Sequence, residues 1–344
     1  MRPWLEDKFA NPHSSSHAPG REAAAAVELA RDAVASLLPK GGRVYFTSGA
    51  TEAINWGMRC TGSGSVMVVD TEHAAVRDTA HWLGQSGRNV SFIPVMPDGL
   101  VDAAINIPQS TEMVAVMQVN NEIGVIQPIA ALADAAHKAG ALFLCDAVQG
   151  FGRLEIPEGP DLVAVSAHKI HGPKGIGALW VRDGINITPL VFGGGQEGGL
   201  RSGTLSPALC AGFGVAATIA RQTRENDAAH VEMLWQLAME MLPEGWMVNG
   251  STEHRYRGNL NLRRNDLDAP RLISEVRSVA FSAGSACASG SGRPSHVLRA
   301  LGLTDSEARS SIRLGFGRYT TPAELREALG LIFSAADRQQ VLPA

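Results

Sequence analysis

Four short stretches of the chain hold residue types that can do chemistry. Ser166-Ala167-His168-Lys169 closes an apolar run, 162–166, of strand length. A lysine there either sits on the surface of a loop or points into a strand-end cleft. In a cleft, burial or a neighbouring cation lowers the amine pKa enough to form a Schiff base with an aldehyde. Asp146 closes the preceding apolar run. It is either a cap for the segment that follows or the carboxylate partner of a cofactor ring nitrogen, which makes the ring an electron sink. Thr47-Ser48-Gly49-Ala50-Thr51-Glu52 is a glycine turn into a helix start. Its hydroxyls and free N–H groups suit a phosphate, or Ser48 or Thr51 simply caps the helix. Gly284-Ser285-Ala286-Cys287 sets a thiol in a Ser/Gly-rich stretch, 282–295, whereas Cys145 stands among Leu and Phe. The Cys287 thiol is either incidental or an accessible nucleophile.

The surrounding pattern predicts the elements that position these groups. An Ala-rich helix is expected over 23–38, with Val27, Ala30, Val34 and Leu37/Leu38 at helical spacing. Strands are expected at 44–47, 66–70, 114–119, 141–144 and 162–166, and helices from Thr51 and after His73. A further helix ends over 134–140, with Gly140 as C-cap. This alternation implies an α/β fold, a mostly parallel sheet with helices on both faces. Ligands of such sheets bind beyond the carboxyl ends of the strands. Thr47-Ser48-Gly49, Asp70, Asn120-Asn121, Asp146 and Ser166 all fall there. The composition turns charged and helical around 221–227, so a domain boundary is expected near there. That gives an N-terminal segment 1–10, a large domain 11–220 and a smaller α+β domain 221–344, with a strand at 259–263 and the Cys287 stretch.

Bulk properties narrow the function classes. The 344 residues are 45% hydrophobic, enough for a large core and two domains. A net charge of −4 favours neither a nucleic-acid nor a membrane partner. The 37 glycines and 6% aromatics suit an α/β protein with many tight turns near ligands. Cys60, Cys145, Cys210 and Cys287 have no metal-ligand spacing and are too few for a disulfide framework. No metal site is expected, and a reducing cytoplasm is. No apolar run reaches the roughly 18 residues of a membrane helix, and the polar stretch 1–10 is not a signal peptide.

The motifs, taken together, resemble the cysteine desulfurases, within the class V aminotransferase group of fold-type I pyridoxal-phosphate enzymes. The matching stretches run from about Asn11 to about Pro322: FTSGATEAIN (46–55), TEHAAV (71–76), VNNEIGVIQPI (119–129), DAVQ (146–149), SAHKIHGPKGIGAL (166–179), GGGQEGGLRSGT (193–204), GSACAS (284–289), PSHVLRALGL (294–303) and SSIRLGFGRYTT (310–321). GSACAS followed by PSHVLRALGL is similar to the long-loop subgroup.

The resemblance implies roles. Lys169 holds pyridoxal 5'-phosphate as a Schiff base and moves the substrate α-proton. Asp146 pairs with the ring nitrogen and Gln149 with the phenolic oxygen. His73 stacks on the ring and takes part in proton transfer. Ala50 through its backbone, Thr51, Ser166 and His168 bind the phosphate, joined by Thr204 of a second subunit. Asn121 and Arg313 hold the substrate carboxylate, the latter through its bidentate guanidinium. Cys287 takes sulfur from L-cysteine as a persulfide and leaves L-alanine. A homodimer and a sulfur-acceptor protein are implied, most commonly in iron–sulfur cluster assembly, with transfer-RNA thiolation next.

The chain departs from the family pattern in places. MRPWLEDKFA (1–10) replaces a strand and an Asp-Ala-Thr-Thr loop, the tail beyond Arg338 is short, and SAHK and Val148 replace SGHK and Thr. These departures keep open a pyridoxal-phosphate-binding assembly subunit that needs a partner for turnover. A selenocysteine lyase, epimerase or aminotransferase of the same group is the other alternative, though a transaminase has no need of Cys287. A dinucleotide-binding protein is disfavoured, since no GxGxxG follows the first strand.

Overall fold

A computed structural model describes residues 1–284 and 294–341, so Cys287 lies outside the described residues. By internal contacts the chain forms two compact units. One comprises Met1–Ile93, Ala103–Gln118 and Pro128–Arg224; the other comprises Pro94–Asp102, Val119–Gln127 and Glu225–Ala344.

In chain order the first unit holds α1 (Arg2–Glu6), α2 (Ala18–Ala35), β1 (Gly42–Thr47), α3 (Ala50–Arg59), β2 (Ser65–Val69), α4 (Ala74–Gln85) and β3 (Val90–Ile93). It continues with β4 (Thr111–Met117), α5 (Ile129–Lys138), β5 (Leu142–Asp146), β6 (Leu162–Ser166), β7 (Gly177–Arg182) and the start of α6 (Pro207–Glu240). Among the described residues its strands make one seven-stranded sheet, in the order β1-β7-β6-β5-β4-β2-β3. β6, β5, β4, β2 and β3 pair in parallel. β7 is antiparallel both to β6 and to β1. β1 therefore runs with the parallel set, and the carboxyl ends of β1, β5 and β6 share one edge. All five residues of β6 are buried, as its unbroken apolar run requires of a strand covered on both faces. Ile54, Trp56, Val68, Met113, Leu144, Leu162 and Leu179 pack in one core on this sheet.

One helix start differs from the sequence pattern for a physical reason. α2 begins at Ala18 rather than near Ala23 because His17 caps it: its Nδ1 accepts the Gly20 N–H at 3.0 Å, and a proline fits the first turn. The charged stretch 221–227 lies within one uninterrupted helix, α6, and the division between the two units, after Arg224, falls inside that stretch.

The second unit holds the rest of α6, then β8 (Trp246–Val248), β9 (Asn259–Arg264), α7 (Ala269–Glu275), β10 (Ser282–Ala283), α8 (His296–Ala300), α9 (Asp305–Arg309), β11 (Ser311–Gly315) and α10 (Pro322–Val341). Its antiparallel sheet has the order β10-β11-β9-β8. Trp235, Leu260, Leu262, Ile312, Leu329 and Phe333 fill its core. Ile123, Val125, Val297, Leu298 and Leu301 form a second apolar cluster under the 119–127 turn. Among the described residues no helix is long and apolar enough to cross a membrane.

Candidate active site

Asp146 ends β5 and is almost wholly buried, at 5% exposure. Burial raises its carboxyl above the usual range, while the Val148 N–H and the charges of His73 and Lys169 pull the other way. Its Oδ1 accepts the Val148 N–H at 3.0 Å, so it also shapes the turn after the strand. The structure thus brings His73 and Lys169 into electrostatic reach of Asp146, from the start of α4 and the 3-10 turn Ala167–Ile170 after β6. A carboxyl held this way gains most from a cationic partner. A protonated ring nitrogen would supply that charge.

Gln149 and Lys169 are linked through Arg153. Arg153 donates to Gln149 Oε1 at 3.2 Å and to the Lys169 carbonyl at 2.7 Å. With its oxygen taken, the Gln149 amide presents its N–H side elsewhere, as a donor. His73 caps α4, its Nδ1 accepting the Ala75 N–H at 3.1 Å. That use of Nδ1 leaves Nε2 as the nitrogen that carries a proton.

The anion-binding end is built on β1, β6 and β7. Gly177 is in register with both Thr47 and Ser166. A Cβ there would lie 2.5 Å from the Val165 carbonyl and 2.7 Å from the Gly49 Cα, so only glycine lets the turn after β1 settle this close to β6. The N-cap of α3 is Gly49, with no side-chain cap and open space around it, so neither Ser48 nor Thr51 caps the helix. The Ala50 and Thr51 end of α3 therefore offers unsatisfied N–H groups. Nearby on β6, the Ser166 hydroxyl and His168 Nδ1 are 2.9 Å apart. Burial, then Lys169 and Lys174, lower the His168 pKa.

The loop bearing Thr204 is fastened at two points. Arg201 grips Glu52, in the first turn of α3, and Arg31 of α2 grips Glu197 through contacts of 2.7 and 2.8 Å. Glu197 also accepts the Phe46 N–H at 2.8 Å, which ties the loop to β1. Thr204 follows in this loop and is exposed.

In the second unit, Arg313 of β11 donates from Nη1 to the Asn121 carbonyl at 2.8 Å. The two residues expected to share a carboxylate are therefore neighbours. Asn259 Nδ2 bonds the same carbonyl at 3.1 Å.

This geometry has counterparts in known proteins. The profile of the class V aminotransferases matches residues 1–327. The chain belongs to the class V aminotransferase family. A cysteine desulfurase IscS of Rickettsia typhi is 40% identical over 361 residues, covering 99% of this chain and 88% of its own. The Rickettsia bellii cysteine desulfurase IscS is 41% identical, covering 98% and 87%. A solved NifS-like protein superposes with a TM-score of 0.88 at 30% identity over 99% of this chain and 94% of that one. SspA in complex with cysteine superposes at 0.80 and 33% identity, over 93% and 94%. The fold is thus the fold-type I α/β architecture that the motifs implied, with a mostly parallel sheet.

For this class V aminotransferase family member, three cysteines are described. Burial raises the thiol pKa at all of them: at Cys60, to about 12 at Cys210, and well above the usual value at Cys145. Each is a poor source of thiolate. The sequence reading passed over Glu52, Glu72, Arg153 and Arg201. Several of their partners lie far away in the chain, as Arg201 does from Glu52 and Met117 from Glu72, so local pattern does not mark them. The one local signal is a charge inside a mostly apolar motif, as with Glu72 beside His73.

Proposed function

We propose that this protein is a cysteine desulfurase that takes sulfur from L-cysteine, releases L-alanine and holds the sulfur as a persulfide on Cys287. The observation that carries the reading is the buried Asp146 with Lys169 and His73 acting on it. The relatives' names support the substrate, and a structurally similar protein is described in complex with cysteine.

The residues fit pyridoxal phosphate. A buried carboxyl suits a ring nitrogen, and a glycine-capped helix start with an open approach suits a phosphate. When bound, the cofactor supplies an aldehyde for the substrate amine and a ring that accepts electron density from Cα. Lys169 would hold that aldehyde and, once free, take the Cα proton. Asp146 would keep the ring nitrogen protonated. Gln149 would donate to the phenolic oxygen, and His73 would lie on the ring face and pass a proton at Nε2. Ala50, Thr51, Ser166 and His168 would hold the phosphate, with Thr204 of the partner subunit in a homodimer. Asn121 and Arg313 would hold the substrate carboxylate.

In the sulfur step the Cys287 thiolate attacks the substrate sulfur. An S–S bond forms, the Cβ–S bond breaks with its electron pair left on carbon, and that carbon is protonated. Cysteine plus thiol gives alanine plus persulfide, with no external oxidant. The persulfide would pass to an acceptor protein of iron–sulfur cluster assembly in the cytoplasm.

Borohydride reduction of the cofactor-loaded protein tests the assignment of Lys169. Peptide mass spectrometry should find the pyridoxyl group on Lys169, and Lys169→Ala should lose it. An adduct on another lysine, or none, refutes the reading.

A further inference from the structure

Gly284 and Ser295 bracket the sequence that contains Cys287, and both are tied to one turn, Asn120–Glu122–Ile123. At the near end, the Gly284 N–H donates to the Ser311 carbonyl at 2.9 Å. The Gly284 carbonyl accepts from Asn261 Nδ2 at 3.4 Å, and the same Nδ2 donates to the Glu122 carbonyl at 3.0 Å. The orientation of this amide is fixed. Asn261 Oδ1 accepts from Asn249 at 2.8 Å, and Asn249 Oδ1 accepts from Arg263 at 2.7 Å. Asn261 is fully buried, so exchange of these partners for water is not open to it.

At the far end, the Ser295 hydroxyl donates to the Glu122 carboxylate at 2.5 Å and accepts the Leu298 N–H at 3.1 Å as the N-cap of α8. Glu122 is 3% exposed and Ser295 is equally buried. A hydrogen bond this buried is costly to lose, because water does not replace the partner that is removed. The turn itself is set by Asn120, whose Oδ1 accepts the N–H groups of Glu122 and Ile123 at 2.8 and 3.0 Å. Asn121, between them in sequence, is the residue that meets Arg313.

We propose that Glu122 is a positioning residue for sulfur transfer: its carboxyl fastens Ser295, beyond the Cys287 segment, to the turn that presents Asn121 to the substrate carboxylate, while its backbone carbonyl shares Asn261 with Gly284, ahead of that segment. This rests on the desulfurase reading. Glu122 touches neither substrate nor cofactor in it. Its contribution is to fix the origin from which the thiol reaches the sulfur, and misplacement of a reacting group by about 1 Å costs on the order of 100-fold in rate.

The test uses cofactor-loaded enzyme and reads cysteine binding apart from sulfur transfer. Glu122→Ala and Ser295→Ala should each slow persulfide formation on Cys287 by roughly 10-fold or more. Cofactor affinity and the concentration of cysteine giving half the spectral change should stay within about 2-fold. The double variant should be no slower than Ser295→Ala alone, because that substitution already removes the contact with Glu122. Ser295→Thr, which keeps the hydroxyl, and Glu122→Gln, which keeps an acceptor, should recover most of the rate. An unchanged rate, additive losses, or cofactor and cysteine binding lost in step with the rate would each overturn the proposal. Amide exchange at Leu298 reads the clamp without activity. It should quicken in Glu122→Ala, and unchanged protection there would refute the clamp even if wild type made no persulfide, an outcome that would refute the desulfurase reading separately.

Discussion

Glu52 and Arg201 form a two-point ion pair, Nε to Oε1 at 2.8 Å and Nη2 to Oε2 at 3.1 Å. The same Glu52 Oε2 accepts the Ser48 N–H at 2.7 Å. One carboxylate thus joins the glycine turn before α3 to the loop that presents Thr204. Burial alone would raise the Glu52 pKa, but the hydrogen bonds from Arg201 and Ser48 outweigh it and the carboxyl is lowered. Arg201→Ala should weaken cofactor binding by about 10-fold, since it frees the loop and leaves a half-buried carboxylate without its charge partner. Fluorescence titration of the cofactor-free protein measures this, and unchanged affinity would remove Arg201 from the account.

His73 has two tasks that substitution can separate. Its ring caps α4 through Nδ1. His73→Ala should lower stability by about 1 kcal/mol, the usual worth of a side-chain cap, and also lower activity. His73→Asn should restore the cap and the stability but not the activity. Thermal unfolding alongside alanine release distinguishes the two. Recovery of both by Asn would mean that the ring does nothing beyond capping.

Glu72, next to His73 in sequence, is fully buried, its Oε1 accepting the Met117 N–H at 2.6 Å. Burial first and Asp146 second push its carboxyl well above the usual range, against the pull of the Met117 N–H and Arg77. An acid whose pKa is higher folded than unfolded binds its proton more tightly in the fold. Stability therefore falls as pH rises from the unfolded value, about 4.3, through the raised folded one. Glu72→Gln keeps the acceptor and removes the titration. Cofactor-free Glu72→Gln should match wild type near pH 4 and become the more stable protein toward neutral pH. A melting-temperature difference that does not change with pH would contradict this.

Much of the site was legible because strand ends announce themselves. β5 and β6 are apolar runs that stop at a polar residue, and the 162–166 run is the strand the structure contains. Asp146 and Lys169 could be picked out on that basis. The positioning groups could not. Glu52 meets Arg201, and Arg31 meets Glu197, across long stretches of chain. The segments 94–102 and 119–127 pack with the second unit through contacts such as Ser251 N–H to the Asp98 carbonyl at 2.7 Å and Arg255 to the Ile123 carbonyl at 2.7 Å. No composition shift marks them. β7 was not expected as a strand, although Gly172-Pro173 and Gly175 punctuate the chain just ahead of it. Cys287 rests on its sequence setting alone.

The central claim is that one thiol takes the sulfur. Cofactor-loaded wild type incubated with L-cysteine should release L-alanine and gain one sulfur-atom mass on the peptide containing Cys287. Cys287→Ser should still bind cofactor and cysteine, yet form no persulfide and release almost no alanine, because a serine hydroxyl is barely ionised at neutral pH and is a poor nucleophile toward sulfur. Cys60→Ser, Cys145→Ser and Cys210→Ser should each keep both products. Full alanine release by Cys287→Ser, or the added sulfur found on any other cysteine, would contradict the account.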